Sequence, residues 1–160
     1  MERELALEIV RVTEAAALAS AQWMGGTRKM KRMRLRHTGV DLFVRIGGAP
    51  EGVISAAAIK ALGGDMQARL VPQTIEEEER CIAMGLKDPR QLLMLHDLVS
   101  GDDAIFAANG VSSGELLGGV RFLGGDLVET HSIVMRSKTK TVRYITAHHH
   151  LEHKPHLVMV

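Results

Sequence analysis

The sequence has few aromatic residues, a single cysteine and no long apolar run. Only 3% of its residues are aromatic, so its core has to be built mainly from aliphatic side chains. Cys81 has no second cysteine to pair with, which excludes an internal disulfide and is typical of a reducing compartment. No apolar stretch approaches the ~18 residues that a membrane-spanning helix needs, and two early glutamates are atypical of a signal peptide. We therefore expect a cytoplasmic protein without a membrane segment.

Length and composition indicate one globular domain. A chain of 160 residues with 46% apolar and 24% charged residues has the ordinary balance of a folded protein and can bury a sizeable core. The formal net charge of +1 gives no general attraction to a strongly charged partner. We therefore expect neither a membrane nor a nucleic acid as the partner.

The most informative local pattern is a glycine-rich turn at residues 46–52, Ile-Gly-Gly-Ala-Pro-Glu-Gly, between a strand-like segment and an apolar helical one. Paired glycines let a ligand approach the backbone, and Pro50 suits the first helical turn, where its missing N–H is not needed. Glu51 then stands beside exposed N–H groups that can hold phosphate oxygens, so a divalent metal could bridge this carboxylate and a phosphate. The simpler interpretation is a tight strand-to-helix turn with an acidic first-turn residue.

Periodicity along the chain predicts alternating helices and strands. Helices are predicted at residues 2–24, 51–62, 74–84 and 88–98, and strands at residues 40–46, 66–71, 103–108, 120–122, 128–136 and 140–149. The last two strands form a hairpin across residues 137–139. This order predicts a three-layer α/β domain with a mixed sheet flanked by helices, preceded by a long amino-terminal helix.

Ligands of α/β sheets bind beyond the carboxyl ends of the strands, and two predicted loops lie there. One is the turn at residues 47–51. The other, residues 108–112, offers the Asn109 amide and serine hydroxyls that could face a phosphate or a sugar. Its alternative interpretation is a common Asn-Gly turn followed by a serine helix cap at residues 112–113.

Two further segments have a biased composition. Residues 28–36 carry six basic side chains, a pattern that binds phosphate backbones or forms a solvated linker, and the lack of aromatic residues there favours the linker. The carboxy-terminal segment is rich in histidine: His148, His149, His150, His153 and His156. On a strand, His148 and His150 share one face and could chelate Zn²⁺ or Ni²⁺, either as a specific site or adventitiously.

Several sequence blocks resemble the class II fructose-1,6-bisphosphatase family. They are Gly-Val-Asp-Leu at 39–42, Gly-Gly-Ala-Pro-Glu-Gly-Val at 47–53, Ala-Leu-Gly-Gly-Asp-Met-Gln-Ala-Arg-Leu at 61–70, Gly-Asp-Asp-Ala-Ile-Phe-Ala-Ala-Asn-Gly-Val at 101–111, Gly-Val-Arg-Phe at 119–122, Glu-Thr-His-Ser-Ile-Val-Met-Arg-Ser at 129–137 and Thr-Val-Arg at 141–143. Residues 3–16 and the Trp-Met-Gly at 23–25 resemble the family's amino-terminal helix. Because the blocks keep the family's order over residues 39–147, the chain is identified as similar to that family, with the fold of its carboxy-terminal half.

The resemblance implies a metal-dependent sugar phosphatase of central carbon metabolism. It implies hydrolysis of the 1-phosphate of fructose 1,6-bisphosphate with Mg²⁺ or Mn²⁺, which would neutralise the phosphate and activate a bound water. Two site residues follow from it: the position of Glu51 is a metal ligand in the family, and that of Gly48 contacts the substrate. A sugar bisphosphate or phosphate is the implied ligand.

The sequence lacks the family's Gly-Glu-Gly-Glu and Asp-Pro-Leu-Asp-Gly-Thr motifs, which supply most of its metal-binding carboxylates. Because Mg²⁺ needs several oxygen ligands, Glu51 alone cannot form the site, and we expect a catalytically incomplete chain with no assignable catalytic residue. The predicted organisation is an amino-terminal helix (1–25), a basic linker at a deletion junction (26–38), an α/β domain (39–147) and a His-rich tail (148–160). The alternative function is a non-catalytic interaction or oligomerisation module, since a surface uncovered by such a deletion would favour a homo-oligomer.

Overall fold

The computed structural model describes residues 6–12, 45–114 and 116–154, which form two four-stranded sheets joined by helices. The first sheet has the order β2-β1-β3-β4, with β1 at Ala6–Val12, β2 at Arg45–Gly48, β3 at Met66–Val71 and β4 at Leu92–Met94. The second contains β5 at Ile105–Asn109, β6 at Arg121–Gly124, β7 at Leu127–Arg136 and β8 at Thr141–His150. The helices are α1 at Ala49–Leu62, α2 at Ile75–Ala83 and α3 at Leu95–Leu98, and a 3₁₀ turn at Leu151–His153 follows β8.

Strand β1 lies between β2 and β3 in the first sheet. It pairs antiparallel with both β2 and β3, so that Ala6 lies opposite Gly48 on one side and opposite Val71 on the other. Strands β2 and β3 therefore run in the same direction, and α1 connects them across β1. The α/β class is confirmed, but the predicted mixed sheet is wrong for the described residues, since every strand pair there is antiparallel.

The amino-terminal helix predicted over residues 2–24 is wrong for the part that the structure describes, because residues 6–12 form β1. Ile9, Val10 and Val12 are β-branched, which favours extended backbone. Pairing along both edges of β1 also supplies its backbone hydrogen bonds from two neighbouring strands. The apolar residues here fit a two-residue alternation as well as a helical spacing, and tertiary pairing decided between them. The rest of the predicted helix lies outside the described residues.

Helix α1 packs against both sheets and joins their cores. Ala56 and Ile59 pack in the first core with Met66, Ala68, Leu70 and Cys81. On its other side, the helix contributes to a second core whose buried members are Ala58, Ala61, Phe106, Ala108, Leu117, Ile133 and Met135. Small alanine side chains let the helix approach both sheets closely. The sequence predicted one sheet with helices on its faces. In the structure, α1 instead packs against both sheets.

Helix α2 begins and ends as predicted. The Thr74 Oγ1 accepts a hydrogen bond from the backbone N–H of Glu77 at 3.2 Å and so caps the helix. Cys81 on this helix is completely buried, and burial raises the pKa of its thiol. Cys81 is therefore a buried thiol that packs in the first core.

The predicted hairpin near the carboxy terminus is confirmed. Strand β8 pairs with β7 along its whole length, from Arg136 opposite Thr141 to Leu127 opposite His150. The other edge of β7 is shared by β5 and β6. The helix predicted at residues 88–98 is shorter than expected, because Leu92–Met94 pairs with β3 as β4 and only Leu95–Leu98 is helical.

Candidate functional site

The glycine-rich turn connects the end of β2 to the start of α1. Gly48 is the N-cap residue, with extended backbone (φ −68°, ψ 147°), Pro50 lies in the first turn and Glu51 is exposed there. No side chain of the described residues caps this helix start, whereas Thr74 caps the start of α2. The first N–H groups of α1 therefore lack the side-chain oxygen that satisfies their counterparts in α2.

The starts of α1 and α2 follow strands that finish at the same end of the first sheet. Since β2 and β3 run in one direction, their carboxyl ends at Gly48 and Val71 flank the start of β1. The acidic first turn of α2 follows β3, but two of its carboxylates are engaged locally. Glu77 accepts the backbone N–H of Gln73 at 2.7 Å, and Glu78 forms an ion pair with Arg90 at 2.9 Å. Glu77 and Glu78 therefore already have partners within or beside α2.

The surroundings of Glu51 do not complete a Mg²⁺ or Mn²⁺ site. Among the described residues, Glu51 belongs to no group of three histidine, cysteine or acidic side chains with ligand atoms close together. A hard divalent ion takes several oxygen ligands, typically more than one carboxylate. At this turn the described residues therefore offer one carboxylate beside the start of a helix.

The second predicted loop uses its polar groups to hold itself in place. The Ser132 hydroxyl donates to Oδ1 of Asn109 at 2.5 Å, and the Gly110 N–H donates to the carbonyl of His131 at 2.9 Å. Oγ of Ser113 accepts the Gly119 N–H at 3.1 Å, closing the loop rather than capping a helix. The short helix predicted after this turn is not formed by the described residues of the loop. These contacts favour the turn interpretation over a ligand-binding loop.

One carboxylate on β7, Glu129, contacts three basic side chains, and the sequence analysis did not name it as a site residue. The Glu129 side chain is 12% exposed and contacts Arg121 at 2.9 Å, His131 at 3.2 Å and His148 at 3.1 Å. The hydrogen bond with His148 is the main cause that holds the pKa of Glu129 below its usual range. The hairpin register could have found this pair, because Glu129 lies directly opposite His148.

Each of the three histidines at the end of β8 has a different partner. His148 and His150 are the more exposed and His149 the less exposed, as expected for alternate faces of a strand. His148 contacts Glu129, whereas Nδ1 of His150 lies 3.5 Å from Oδ2 of Asp126. His149 lies on the other face, between Thr130 and Lys154. A site shared by His148 and His150 is therefore not formed.

Other predicted features lie outside the described residues. The basic segment at residues 28–36 and the end of the His-rich tail at residues 155–160 belong to this group. In the part of the chain that the structure describes, no helix is both long and apolar enough to span a bilayer.

The family assignment comes from sequence comparison. Residues 32–149 match the family described as "Bacterial fructose-1,6-bisphosphatase, glpX-encoded", a range that contains Gly48, Glu51 and Glu129. This range covers well over half of the chain.

Curated relatives agree with that match. The chain is 44% identical over 126 residues to the fructose-1,6-bisphosphatase class 2 of Haemophilus influenzae, covering 71% of this chain and 37% of that protein. It is 33% identical over 162 residues to a D-fructose 1,6-bisphosphatase class 2/sedoheptulose 1,7-bisphosphatase of a Synechococcus species, covering 93% of this chain and 46% of that protein. A Trichormus variabilis protein of the same description is 40% identical over 124 residues, covering 70% of this chain and 36% of that protein. The chain spans less than half the length of these relatives, and by the match over residues 32–149 it belongs to the bacterial, glpX-encoded fructose-1,6-bisphosphatase family.

Proposed function

We propose that this chain carries the phosphate-binding part of a metal-dependent sugar bisphosphatase and does not complete the catalytic site by itself. The reaction of the complete site would be hydrolysis of the 1-phosphate of fructose 1,6-bisphosphate, the substrate named for its relatives. In this proposal, Glu51 is a ligand of Mg²⁺ or Mn²⁺, and Gly48 approaches the sugar phosphate through its backbone.

The observation that carries the proposal is the uncapped start of α1. Gly48 ends β2, and the helix that follows has no side-chain cap among the described residues. Backbone N–H groups and the positive end of the helix dipole favour an anion at this position. A carboxylate in the same turn would repel a bare phosphate, so a cation between the two groups reconciles Glu51 with the anion.

We propose that the metal site is incomplete because too few metal ligands are present. Glu51 is one carboxylate, and the sequence lacks the two motifs that supply most of the family's other carboxylates. We propose that residues 26–38 mark the junction at which those motifs are missing. The remaining ligands would then have to come from another chain or from rebuilt contacts.

Phosphate release tests this proposal. Purified protein with Mn²⁺ and fructose 1,6-bisphosphate is expected to release no phosphate above a protein-free blank, with the Haemophilus influenzae relative as the positive control. Turnover that depends on metal and is abolished by Glu51→Gln would show that other residues complete the site. Turnover that survives Glu51→Gln would remove Glu51 from the site altogether.

A non-catalytic interaction module is the second candidate, and exposed apolar residues on α2 favour it. Ile75, Ile82 and Met84 are 73%, 49% and 67% exposed. Ile75 and Ile82 line an open groove of about 490 Å³ with Glu78, Glu79, Ala83 and Pro89. A second copy of the chain is the partner proposed for this groove, because a segment missing at residues 26–38 would uncover surface that it normally covers. Light scattering over a range of concentrations tests it: a monomer at all concentrations contradicts the homo-oligomer.

The cellular compartment is also proposed. The buried lone thiol of Cys81 and the absence of any second cysteine suit a reducing cytoplasm, where sugar phosphates are metabolised. Cell fractionation with immunodetection of the chain in the cytoplasmic and membrane fractions tests this placement.

A further inference from the structure

The far end of the β7–β8 hairpin brings Asp126 close to two side chains from about 25 residues further along the chain, and all three are of types that can bind a metal. Asp126 lies in the tight turn between β6 and β7, His150 ends β8, and Glu152 lies in the 3₁₀ turn that follows. One ligand atom of each residue lies within 4.8 Å of the others. The Leu151 N–H donates to the carbonyl of Asp126 at 2.9 Å and holds the two chain segments together.

Asp126 shows that this cluster is more than a set of surface charges. Its Oδ2 atom is buried and receives no hydrogen bond from the described residues, which is costly for a carboxylate oxygen. Nδ1 of His150 lies 3.5 Å from this oxygen atom, which is long for a hydrogen bond. Two ligands about 2.0–2.1 Å from a tetrahedral zinc ion are about 3.3 Å apart, so this spacing suits two ligands of a shared metal.

A neighbouring residue positions the third ligand. Nε2 of His153 lies 3.4 Å from Oε1 of Glu152, and its ring meets that of His150 edge to face with centroids 6.4 Å apart. Contacts of this kind to a ligating carboxylate orient it for a metal. Asp126, His150 and Glu152 retain 42%, 59% and 65% side-chain exposure, which leaves room for a water as the fourth ligand.

We propose that Asp126, His150 and Glu152 form a Zn²⁺ site that ties the end of β8 to the β6–β7 turn. One imidazole and two carboxylates with an open position suit Zn²⁺, whereas Mg²⁺ prefers an octahedral shell of oxygen atoms. The site lies at the end of the hairpin opposite the β7–β8 turn and shares no residue with the turn at residues 47–51. Bound only to the folded chain, Zn²⁺ stabilises it by linkage.

Calorimetric titration of the EDTA-treated full chain with Zn²⁺ tests the proposal. The unmodified chain is expected to bind one ion at its tightest site, and His150→Ala and Asp126→Asn each weaken that binding at least tenfold. The matched control is His148→Ala, which removes a histidine from the same face of β8 but one that contacts Glu129 instead. This control and His96→Ala are expected to keep the affinity within about twofold.

Thermal unfolding supplies a second readout that does not depend on counting sites. Zn²⁺ is expected to raise the Tm of the unmodified chain and of His148→Ala but not that of His150→Ala, and metal-free Tm values show whether each variant folds. Equal Zn²⁺ affinity in His150→Ala and the unmodified chain would overturn the site. Equal losses in His148→Ala and His150→Ala would also overturn it, because they would assign the metal to the histidine-rich segment as a whole.

Discussion

His148 and Glu129 face each other across the β7–β8 hairpin, with Nε2 of His148 at 3.1 Å from Oε2 of Glu129. This hydrogen bond is the largest cause of the lowered pKa of Glu129, with smaller contributions in the same direction from His131 and Arg121 and an opposing one from partial burial. The folded state therefore favours the ionised carboxylate more than the unfolded chain does. Its contribution to stability is full above the unfolded pKa of about 4.3 and is lost as the pH falls through the lower folded pKa.

The prediction is a pH-dependent difference between the unmodified chain and Glu129→Gln. The variant is expected to be less stable at about pH 7, and the gap should close towards about pH 3, where the native carboxylate is protonated as well. Urea unfolding at several pH values measures it. Glu79→Gln, which removes an exposed carboxylate on α2, is the control and should show no such closing gap. A gap that stays constant with pH would contradict the role of the ionised carboxylate.

We predict that no other residue can replace Gly110 without loss of stability, because a Cβ atom has no room at this position. A Cβ atom at this position would lie 2.0 Å from the carbonyl oxygen of Gly118, which is backbone and cannot rotate away. Gly110→Ala is therefore expected to lower the free energy of unfolding by roughly 1–3 kcal/mol. Chemical denaturation measures the change.

Gly85 is the control for this prediction, because its positive φ, and not a lack of space, disfavours other residues at this position. It has φ 96° and open space around the missing Cβ, so Gly85→Ala is expected to cost roughly 1–2 kcal/mol. Asparagine tolerates left-handed backbone, so Gly85→Asn should recover part of that loss, whereas Gly110→Asn should recover none. Recovery at Gly110 would mean that backbone conformation, not space, limits this position.

Cys81 is predicted to be inert in the folded protein. It is completely buried, and burial raises the pKa of its thiol, so the reactive thiolate is both rare and inaccessible. A thiol reagent such as DTNB should react with the native chain far more slowly than with the urea-unfolded chain. Rapid reaction without unfolding would show that α2 opens locally and exposes Cys81.

The features that the sequence predicted correctly are local ones. The helix predicted at residues 74–84 forms, with Thr74 as its cap three residues before Glu77, and Met66–Val71 alternates apolar and polar residues as a half-buried strand does. Strand β1 was missed because its backbone partners are residues 45–48 and 66–71, far along the chain. A pattern compatible with both helix and strand is decided by such distant partners.

The candidate sites also differ in whether their residues are close together in the sequence. The turn at residues 47–51 is contiguous, so the residues proposed to act there, Gly48 and Glu51, could be named from the sequence. The Asp126–His150 and Glu129–His148 pairs join residues about twenty positions apart, and pairing of β7 with β8 brings them together. Counting back along both strands from Arg136 opposite Thr141 would have found Glu129 opposite His148, whereas Asp126 lies in the turn before β7, outside this register.

The last prediction concerns the start of α1, where binding of a metal and of phosphate should depend on each other. The uncapped N–H groups favour an anion, but Glu51 repels it unless a cation lies between them. We expect millimolar binding, worth ~4 kcal/mol, only when Mg²⁺ or Mn²⁺ and phosphate are both present.

Amide NMR with diamagnetic Mg²⁺ measures this coupling. Signals of residues 47–53 should shift with both ions and barely move with either alone, and Glu51→Gln should remove the dependence on Mg²⁺. The start of α2 is the internal control, because the Thr74 side chain already caps it and its amides should not shift. Equal shifts with phosphate alone would mean that Glu51 points away from the bound anion, and the metal-ligand role proposed for it would then be wrong.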